Sequence, residues 1–436
     1  MREKIIKLLR WLLKVLAKLT IKKYKPGVIG ITGTVGKTST KEMIFSVLKS
    51  ERKVRSSSKS FNNEIGLPLA ILGDWETTGR FFFWFKVFLY SIRQLLIKNK
   101  TYPDLLVLEY GIDRPGDMSY LLEIVKPSIG VFTAMSDIPS HVEFFSGPEA
   151  VFREKSKLIV HLPATGFAVL NADNDLILSL RSQIKTHAVT FGFSENADVR
   201  ITNFENKLDS KFVGLSFKLN YGGSVVPIRI EGVFGKGIAY SAACSAAVGL
   251  IFGINLIKIA EALALYKPPP GRMRFIKGIK ESVIIDDTYN ASPIAMKEAL
   301  DVLASLKAKR KIAVLGDMLE IGKYTFEAHE SIGRLAAKIV NFLFTVGIRG
   351  KIIAEAAAQA GLKSERIFHF ETINELGEVL KGKLQKNDLV LIKASQAVRL
   401  EKVVKGIMTE PDKASELLVR QNKLWLEKPG IYDKKI

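Results

Sequence analysis

Residues 1–25 place Lys4, Lys7, Arg10, Lys14, Lys18 and Lys22 three or four positions apart, one stripe of a helix, while Ile5, Leu8, Leu9, Leu12, Leu16 and Leu19 gather on the other face. No uncharged stretch there approaches the ~20 residues that a bilayer span needs, and no small-residue cleavage site follows. The pattern predicts a basic amphipathic helix, either lying on an anionic membrane surface or docked on the protein's own body. Pro26 and Gly27 break it. Residues 28–32 then read as a short buried strand, followed by a glycine-rich turn and a helix over 38–49. Buried strands over 104–110 and 128–134 continue the alternation of strand and helix, which predicts a parallel sheet covered on both faces. Between the first two strands lies FFFWFKVFLYSIRQLLIK, residues 81–98, interrupted only by Lys86, Arg93 and Lys98. This segment reads as a core or insertion helix, or as a second membrane-facing surface.

Residues 198–230 alternate polar and apolar positions, with Gly222 and Gly223 at a turn, and predict an antiparallel hairpin at the sheet edge. The alanine-rich stretch 239–265 predicts a helix. Lys267, Pro268, Pro269, Pro270 and Gly271 then form the clearest linker, because consecutive prolines stiffen a connection and cannot continue a helix. Beyond it strands over 282–286, 311–315, 342–346 and 388–393 alternate with helices starting at Pro293, Thr325, Lys351, Ile373 and Ala397. The expected organisation is α/β: a basic helix (1–25), a central phosphate-loop ATPase domain with a mostly parallel sheet (26–266), a C-terminal Rossmann-like domain (271–410) and a tail (411–436) without a legible motif.

A chain of 436 residues exceeds one hydrophobic core, in keeping with that division, and 47% hydrophobic with 25% charged residues excludes global disorder. The single cysteine, Cys244, excludes an internal disulfide, and with only five histidines it excludes thiolate zinc clusters. A reducing, cytoplasmic setting is expected. Sixty-five Lys and Arg against 44 Asp and Glu give a net charge of +21, suited to nucleotides, phosphorylated substrates, nucleic acid or an anionic membrane face. No nucleic-acid module is recognisable, so nucleic acid is not an expected partner.

The segment GITGTVGKTS, residues 30–39, lies between a buried strand and a helix start, where a phosphate loop must sit. Gly33 and Gly36 let backbone N–H groups approach phosphate oxygens, Lys37 neutralises the β and γ charges, and the Thr38 hydroxyl can ligate magnesium. Gly33, Thr34, Gly36, Lys37, Thr38 and Ser39 are the candidate ATP contacts. The strict pattern has glycine where this chain has Ile31, so the loop is a TGxxGKT variant. A glycine-rich turn that binds nothing is the bland alternative. Glu109 and His141 each follow a predicted strand on the same edge of the sheet, where a carboxylate and an imidazole could hold divalent cations against phosphates. Taken singly, Glu109 reads as a surface charge and His141 as a loop residue bonded to backbone.

The run TGTVGKTSTKEMI, with FNNEIGLPLAIL at 61–72, LEYGIDRPGDM at 108–118, HVEFF at 141–145, DDTYNASPIAMKEAL at 286–300 and LGDMLEIG at 315–322, resembles the Mur ligases. DDTYNASP and LGDMLEIG point to the branch that joins D-alanyl-D-alanine to a UDP-linked muramoyl tripeptide. The resemblance runs from about residue 26 to about residue 405. It implies an ATP-dependent amide-bond ligase of peptidoglycan precursor synthesis: ATP phosphorylates a peptide carboxylate on a muramoyl-peptide acceptor, and a dipeptide amine attacks the acyl phosphate. It also implies two magnesium ions, one served by Thr38 and Glu109, the other by His141 and a carbamylated lysine, which matches Lys155. Lys37, Lys155 and His141 become the candidate catalytic residues. Asn290 and Asp317 match positions near adenine and ribose, Arg272 one that reaches the γ-phosphate, and Asn62 and Asn63 a loop facing the acceptor. Turn chemistry for the asparagines and a helix cap for Asp317 are the structural alternatives.

Some positions depart from the family pattern. The phosphate loop begins near residue 30, so the family's uridine-nucleotide domain is expected to be missing. Lys236 and Tyr240 stand where close relatives carry histidine and asparagine. Lys393, Ala394, Ser395 and Gln396 replace Lys-Gly-Ser-Arg, which leaves Ser395 and, one turn on, Arg399 to meet the carboxylate of the incoming amine. A folylpolyglutamate-synthase-like ligase matches the early phosphate loop but not the motifs. A membrane-associated ATP-binding scaffold is the reading from another class, and the joint presence of Lys37, Glu109, His141 and Lys155 argues against it. The expected localisation is cytoplasmic, peripheral at the inner membrane face if residues 1–25 bind lipid.

Overall fold

The computed structural model describes residues 2–57, 61–75 and 81–434; Met1 of the expected first helix and the last two residues of the expected tail lie outside them. Two sheets organise the described residues. The first has nine strands: β1 (Gly27–Thr32), β2 (Val54–Ser56), β3 (Leu105–Glu109), β4 (Ile129–Phe132), β5 (Phe167–Asn171), β6 (His187–Gly192), β7 (Val199–Leu208), β8 (Val213–Tyr221) and β9 (Ser224–Glu231). Their order is β2-β3-β1-β4-β5-β6-β7-β8-β9, parallel from β2 through β7 and antiparallel across β7-β8 and β8-β9. Strands β1, β3 and β4 are apolar runs with Ile29, Ile31, Val107 and Val131 fully buried, the pattern of strands covered on both faces.

One face is covered by α2 (Lys37–Leu48), and the other by α3 (Gly66–Leu72), α5 (Asp117–Ile124) and α6 (Pro148–Val160), while α1 (Arg2–Tyr24) and α4 (Phe81–Leu96) pack outside α3. After the short α7 (Asp175–Leu178), α8 (Lys236–Ile251) buries Ala239, Ala243 and Ala247, whose small side chains let it approach Met43 and Val47 of α2 closely. Two expectations are corrected here. The 198–230 region is a three-stranded meander, not a two-stranded hairpin: Gly222 and Gly223 make the β8-β9 turn, and a second turn at residues 209–212, closed by the Asp209 carboxylate accepting from Lys211 and Phe212 N–H groups, joins β7 to β8. The 239–265 helix is two helices. Gly253, at φ 77°, ends α8, and Asn255 caps α9 (Leu256–Ala264) by accepting from Lys258 N at 3.0 Å.

The second sheet contains β10 (Arg274–Lys277), β11 (Val283–Asp286), β12 (Lys311–Gly316), β13 (Phe342–Val346), β14 (Ile367–Phe370) and β15 (Leu389–Lys393), in the order β10-β11-β15-β12-β13-β14, with only β10 antiparallel. Its helices are α10 (Pro293–Ser305), α11 (Thr325–Ala337), α12 (Ile348–Gln359), α13 (Ile373–Lys383) and α14 (Glu401–Ile407). The helix expected from Lys351 starts three residues earlier, and the one expected from Ala397 begins as a short 3-10 turn before α14.

The expected featureless tail is part of this second unit. Arg420 donates to the carbonyls of Thr288 and Tyr289 at 2.5 and 3.1 Å, and Tyr432 donates to Asp317 Oδ2 at 2.6 Å. The carboxyl ends of β1, β3 and β4 in one sheet and of β11 and β15 in the other open on one cleft, the edge at which parallel α/β sheets collect ligands.

The first helix docks on the protein body. Leu13, Ala17 and Thr20 are buried, Arg10 pairs with Glu64 at 2.6 Å, and Lys14 pairs with Glu123 at 2.5 Å. Tyr24 stacks on Tyr102 at 4.1 Å and donates to Gln94 O at 2.7 Å, which ties the ends of α1 and α4 together.

Candidate active site

The turn after β1 needs two glycines. Gly33 has φ 144°, and a Cβ there would lie 2.1 Å from Thr133 Oγ1; Gly36 has φ 84° and opens α2. Thr34 fixes the loop against β4 through its N–H and hydroxyl, both donating to Ala134 O at 2.9 and 3.1 Å. Lys37 Nζ folds back to Gly33 O at 2.7 Å, and burial holds its pKa below the usual lysine range. The result is a ring of backbone N–H groups and one lysine at a helix N-terminus, a site for phosphate. Ser39, mostly buried, lies at the rim.

Thr38 Oγ1 approaches Glu109 Oε2 at 3.5 Å and accepts from Arg272 Nη2 at 3.3 Å, so the linker arginine reaches the phosphate loop. The Arg272 guanidinium stacks 3.8 Å above the Tyr289 ring. Glu109 is 1% exposed, and its Oε1 accepts no hydrogen bond among the described residues, although Lys41 Nζ lies 3.3 Å away. A buried carboxylate oxygen beside a threonine hydroxyl at a phosphate loop fits a magnesium ion that takes its other ligands from phosphate and water. No group of three or more His, Cys, Asp or Glu side chains converges on a metal position among the described residues, so protein carboxylates and imidazoles alone do not make a cation cage here.

Lys155, on α6, is 3% exposed and lines the same cleft. Among the described residues its Nζ has no hydrogen bond or ion pair. Burial, followed by the charge of Lys37, drives its pKa well below the ordinary lysine value. Carbon dioxide adds to an amine in its uncharged form, which burial favours here, so an unpartnered lysine facing a polar cleft fits the modification the family resemblance implies. His141, at φ 65° after β4, bridges the two units: Nδ1 lies 3.0 Å from Glu320 and Nε2 3.5 Å from Asp113. That hydrogen bond holds the Glu320 carboxyl below its usual pKa.

The cleft has a volume of 270 Å³ and is lined from both units, by Lys37, Glu109, His141 and Lys155 on one side and Asp287, Asn290 and Lys393 on the other. Asn62 reaches it beneath Gly111, whose N–H donates to Asn62 O at 2.8 Å. Its neighbour Asn63 instead accepts from Gly66 N at 2.9 Å and starts α3, which is turn chemistry. Asn290 accepts from Gln396 N at 3.2 Å at the cleft edge.

Three expected site residues are turned away from the cleft. Asp317 is fully buried and caps α12, accepting from Arg349 and Gly350 N–H groups at 3.1 and 2.9 Å. The Ser395 hydroxyl accepts from Leu319 N at 2.9 Å and is buried. Arg399, buried at φ 67°, pairs with Glu401 at 2.5 Å and donates to the carbonyls of Trp425 and Lys428, so it anchors the tail.

Other residues of the site were given no role from sequence. Lys393 pairs with Asp287 at 2.5 Å and donates to Asn290 O at 2.8 Å, which fixes the loop after β11. Glu298 lines the cleft with its pKa raised to about 7, mainly by burial. Behind the phosphate loop a 170 Å³ cavity is lined by Thr40, Asn171, Tyr240 and Ser241, with Tyr240 donating to Asp173 at 2.8 Å. A lysine one helical turn past Lys37 was the available signal for Lys41 and the family's Lys-Gly-Ser-Arg pattern the signal for Lys393, whereas Glu298 carried none.

Residues 31–82 and 90–249 match the Mur ligase middle domain, and residues 271–396 match the Mur ligase glutamate ligase domain. A UDP-N-acetylmuramoyl-tripeptide--D-alanyl-D-alanine ligase of Mycobacterium leprae is 30% identical over 403 residues, covering 86% of this chain and 72% of that protein. The chain belongs to the Mur ligase family. A similarly named ligase of Bacillus subtilis is 29% identical over 401 residues, covering 92% of this chain and 79% of its own. Among solved structures, the MurF ligase of Thermotoga maritima in complex with ADP superposes with a TM-score of 0.76 at 27% identity, covering 93% of this chain and 84% of that one. Mur ligases are ATP-dependent enzymes that form amide bonds, and the phosphate loop built on Gly33, Gly36 and Lys37 meets that requirement here.

Proposed function

We propose that this Mur ligase joins a D-alanyl-D-alanine-type dipeptide to the terminal carboxylate of a muramoyl-peptide acceptor in peptidoglycan precursor synthesis. The carrying observation is the cleft that places the phosphate loop and the unpartnered Lys155 of one unit against the Asp287, Asn290 and Lys393 loops of the other. Lys37 and Arg272 neutralise the ATP phosphates, and the acceptor carboxylate enters beside Asn62. Carboxylate oxygen attacks the γ-phosphorus, ADP leaves, and the acyl phosphate is attacked by the amine nitrogen, which releases phosphate and a proton as the amide forms. Two magnesium ions would screen the repulsion between the carboxylate and the phosphates. Thr38 and Glu109 would hold one of them, His141 and carbamylated Lys155 the other. With Asp317 engaged at α12, the adenine base belongs in the cavity beside Tyr240. The reaction is assigned to the cytoplasm, where ATP is supplied, with peripheral attachment at the inner membrane face.

The test is incubation of the full chain with ATP, magnesium, D-alanyl-D-alanine and UDP-N-acetylmuramoyl tripeptide, read by mass spectrometry. A product of the condensed mass, with phosphate release that needs both acceptor and amine, is the expected result. Phosphate release indifferent to both, or no condensed product, overturns the substrate assignment.

A further inference from the structure

Helices α1 and α4 pack against each other through Leu13 and Val87, with Leu9, Leu16, Trp84 and Phe88 around them. Each helix nevertheless keeps a second apolar side in water. On α4, Val87, Ser91 and Gln94 are buried, whereas Phe85, Leu89, Ile92 and Leu96 are 60%, 59%, 47% and 80% exposed. Their spacings of four, three and four residues make them one continuous stripe, opposite the buried one. On α1, Ile5, Leu8, Trp11 and Leu19 are likewise exposed beside the buried Leu13 and Ala17. Two neighbouring apolar stripes left in water mark an interaction surface, not ordinary scatter.

The charges on the same helices identify the partner. Arg10 and Lys14 turn inward to Glu64 and Glu123, but Lys4, Lys7, Lys18 and Lys22 remain exposed, as do Lys86 and Arg93 beside the α4 stripe. Glu3 is the one acidic residue on either helix. A second copy of the chain would bring these cations against themselves, whereas lipid phosphates would neutralise them. Among the described residues no helix is long and apolar enough to cross a membrane, so the contact lies in the plane of the surface. Trp11 has the amphipathic ring that favours the headgroup level.

We propose that the combined α1 and α4 face docks on an anionic phospholipid bilayer, its apolar stripes entering the headgroup boundary and its lysines meeting lipid phosphates. This rests on the peripheral attachment proposed above and names its surface; it is independent of the ligation chemistry. The Arg10–Glu64 pair fastens α1 to the segment that carries Asn62, so the proposed docking helix is tied to the acceptor side of the cleft.

Flotation of the full chain with vesicles of phosphatidylcholine alone, or mixed equally with phosphatidylglycerol, tests this. The wild type is expected to float with the mixed vesicles only. Substituting Phe85→Ser, Leu89→Ser and Leu96→Ser together removes exposed side chains without touching the packed face, and is expected to weaken vesicle binding by about tenfold or more. ATP hydrolysis and elution volume should be unchanged in that variant. Lys4→Gln, Lys7→Gln, Lys18→Gln and Lys22→Gln together should abolish the preference for anionic lipid. Failure to float, equal binding to both vesicle types, or a wild-type dimer that the serine variant converts to monomer would overturn the proposal, whatever the ligation assay shows.

Discussion

Lys41 Nζ stands 3.3 Å from Glu109 Oε1, and both side chains are almost completely shielded from water. The lysine also donates to Ser57 O at 2.5 Å and approaches Glu42 at 3.2 Å, so it couples the second turn of α2 to the end of β3. Its Nζ stands beside the carboxylate that faces Thr38. Lys41→Met should leave that carboxylate buried without its cation, at a cost of ~3–5 kcal/mol. Thermal unfolding would show it as a clear loss of melting temperature; an unchanged melting temperature would refute the coupling.

Lys37 is the cation of the phosphate loop, held ready by its contact with Gly33 O. Lys37→Ala should lower acceptor-dependent phosphate release by roughly a hundredfold or more, the scale expected when a group that stabilises transition-state charge is removed. Near wild-type turnover would mean that the phosphate site lies elsewhere.

Lys155 should carry a carbamate. After equilibration with carbon-13 bicarbonate, the wild type is expected to show a carbamate carbon resonance that Lys155→Ala lacks. That variant should fold normally, lose ligation, and recover part of it with short carboxylates. A wild-type spectrum without the resonance would sink the assignment.

Glu298 gives stability a pH dependence. Its pKa is raised from 4.5 to about 7 by burial first, then by Asp287 and Asp301, against the cations Lys393 and Lys236. The folded state therefore binds more protons than the unfolded state across that window, and stability falls as pH rises through it. Below the lower value the penalty is absent; above the upper it is complete, about 3 kcal/mol. Glu298→Gln should accordingly be more stable than wild type at pH 8 and comparable to it near pH 4, measured by urea unfolding. A constant difference at both pH values would contradict this.

Arg420 acts on the site through the tail. Its guanidinium holds the carbonyls of Thr288 and Tyr289, and the Tyr289 ring supports Arg272. Arg420→Met should reduce kcat/KM for ATP by about tenfold by misplacing Arg272. Arg420→Lys should recover part of the loss. A variant that loses stability but keeps kcat/KM would assign Arg420 to packing alone.

Local sequence determined the elements whose cause is local. The apolar runs of β1, β3 and β13, the proline start of α10 and the glycines of the phosphate loop follow from side-chain pattern and backbone restriction, and each lies within a residue or so of where the sequence places it. The family motifs reached further, because their spacing reflects a shared chemistry. Where two outcomes share one pattern, sequence could not decide. Residues 198–230 alternate equally well as two strands or three, and the turn at residues 209–212 carries no glycine to mark it.

What tertiary structure decided is which partner each polar group meets. Asp317 and Arg399 carry the residue types that binding requires, but the fold brings Asp317 to the start of α12 and Arg399 to the carbonyls of the tail, and a hydrogen bond made internally is not available to a substrate. Lys155 is the opposite case: an ordinary helical lysine by sequence, it becomes distinctive because packing buries it with no carboxylate among the described residues close enough to pair with it. Helix α1 shows both limits at once. Its amphipathic period was legible, yet whether Leu13 or Leu8 faces the body depended on α3 and α4, elements more than 40 residues away in sequence. Periodicity fixes the angle between side chains on one helix; only the surface packed against it fixes which of them leave water.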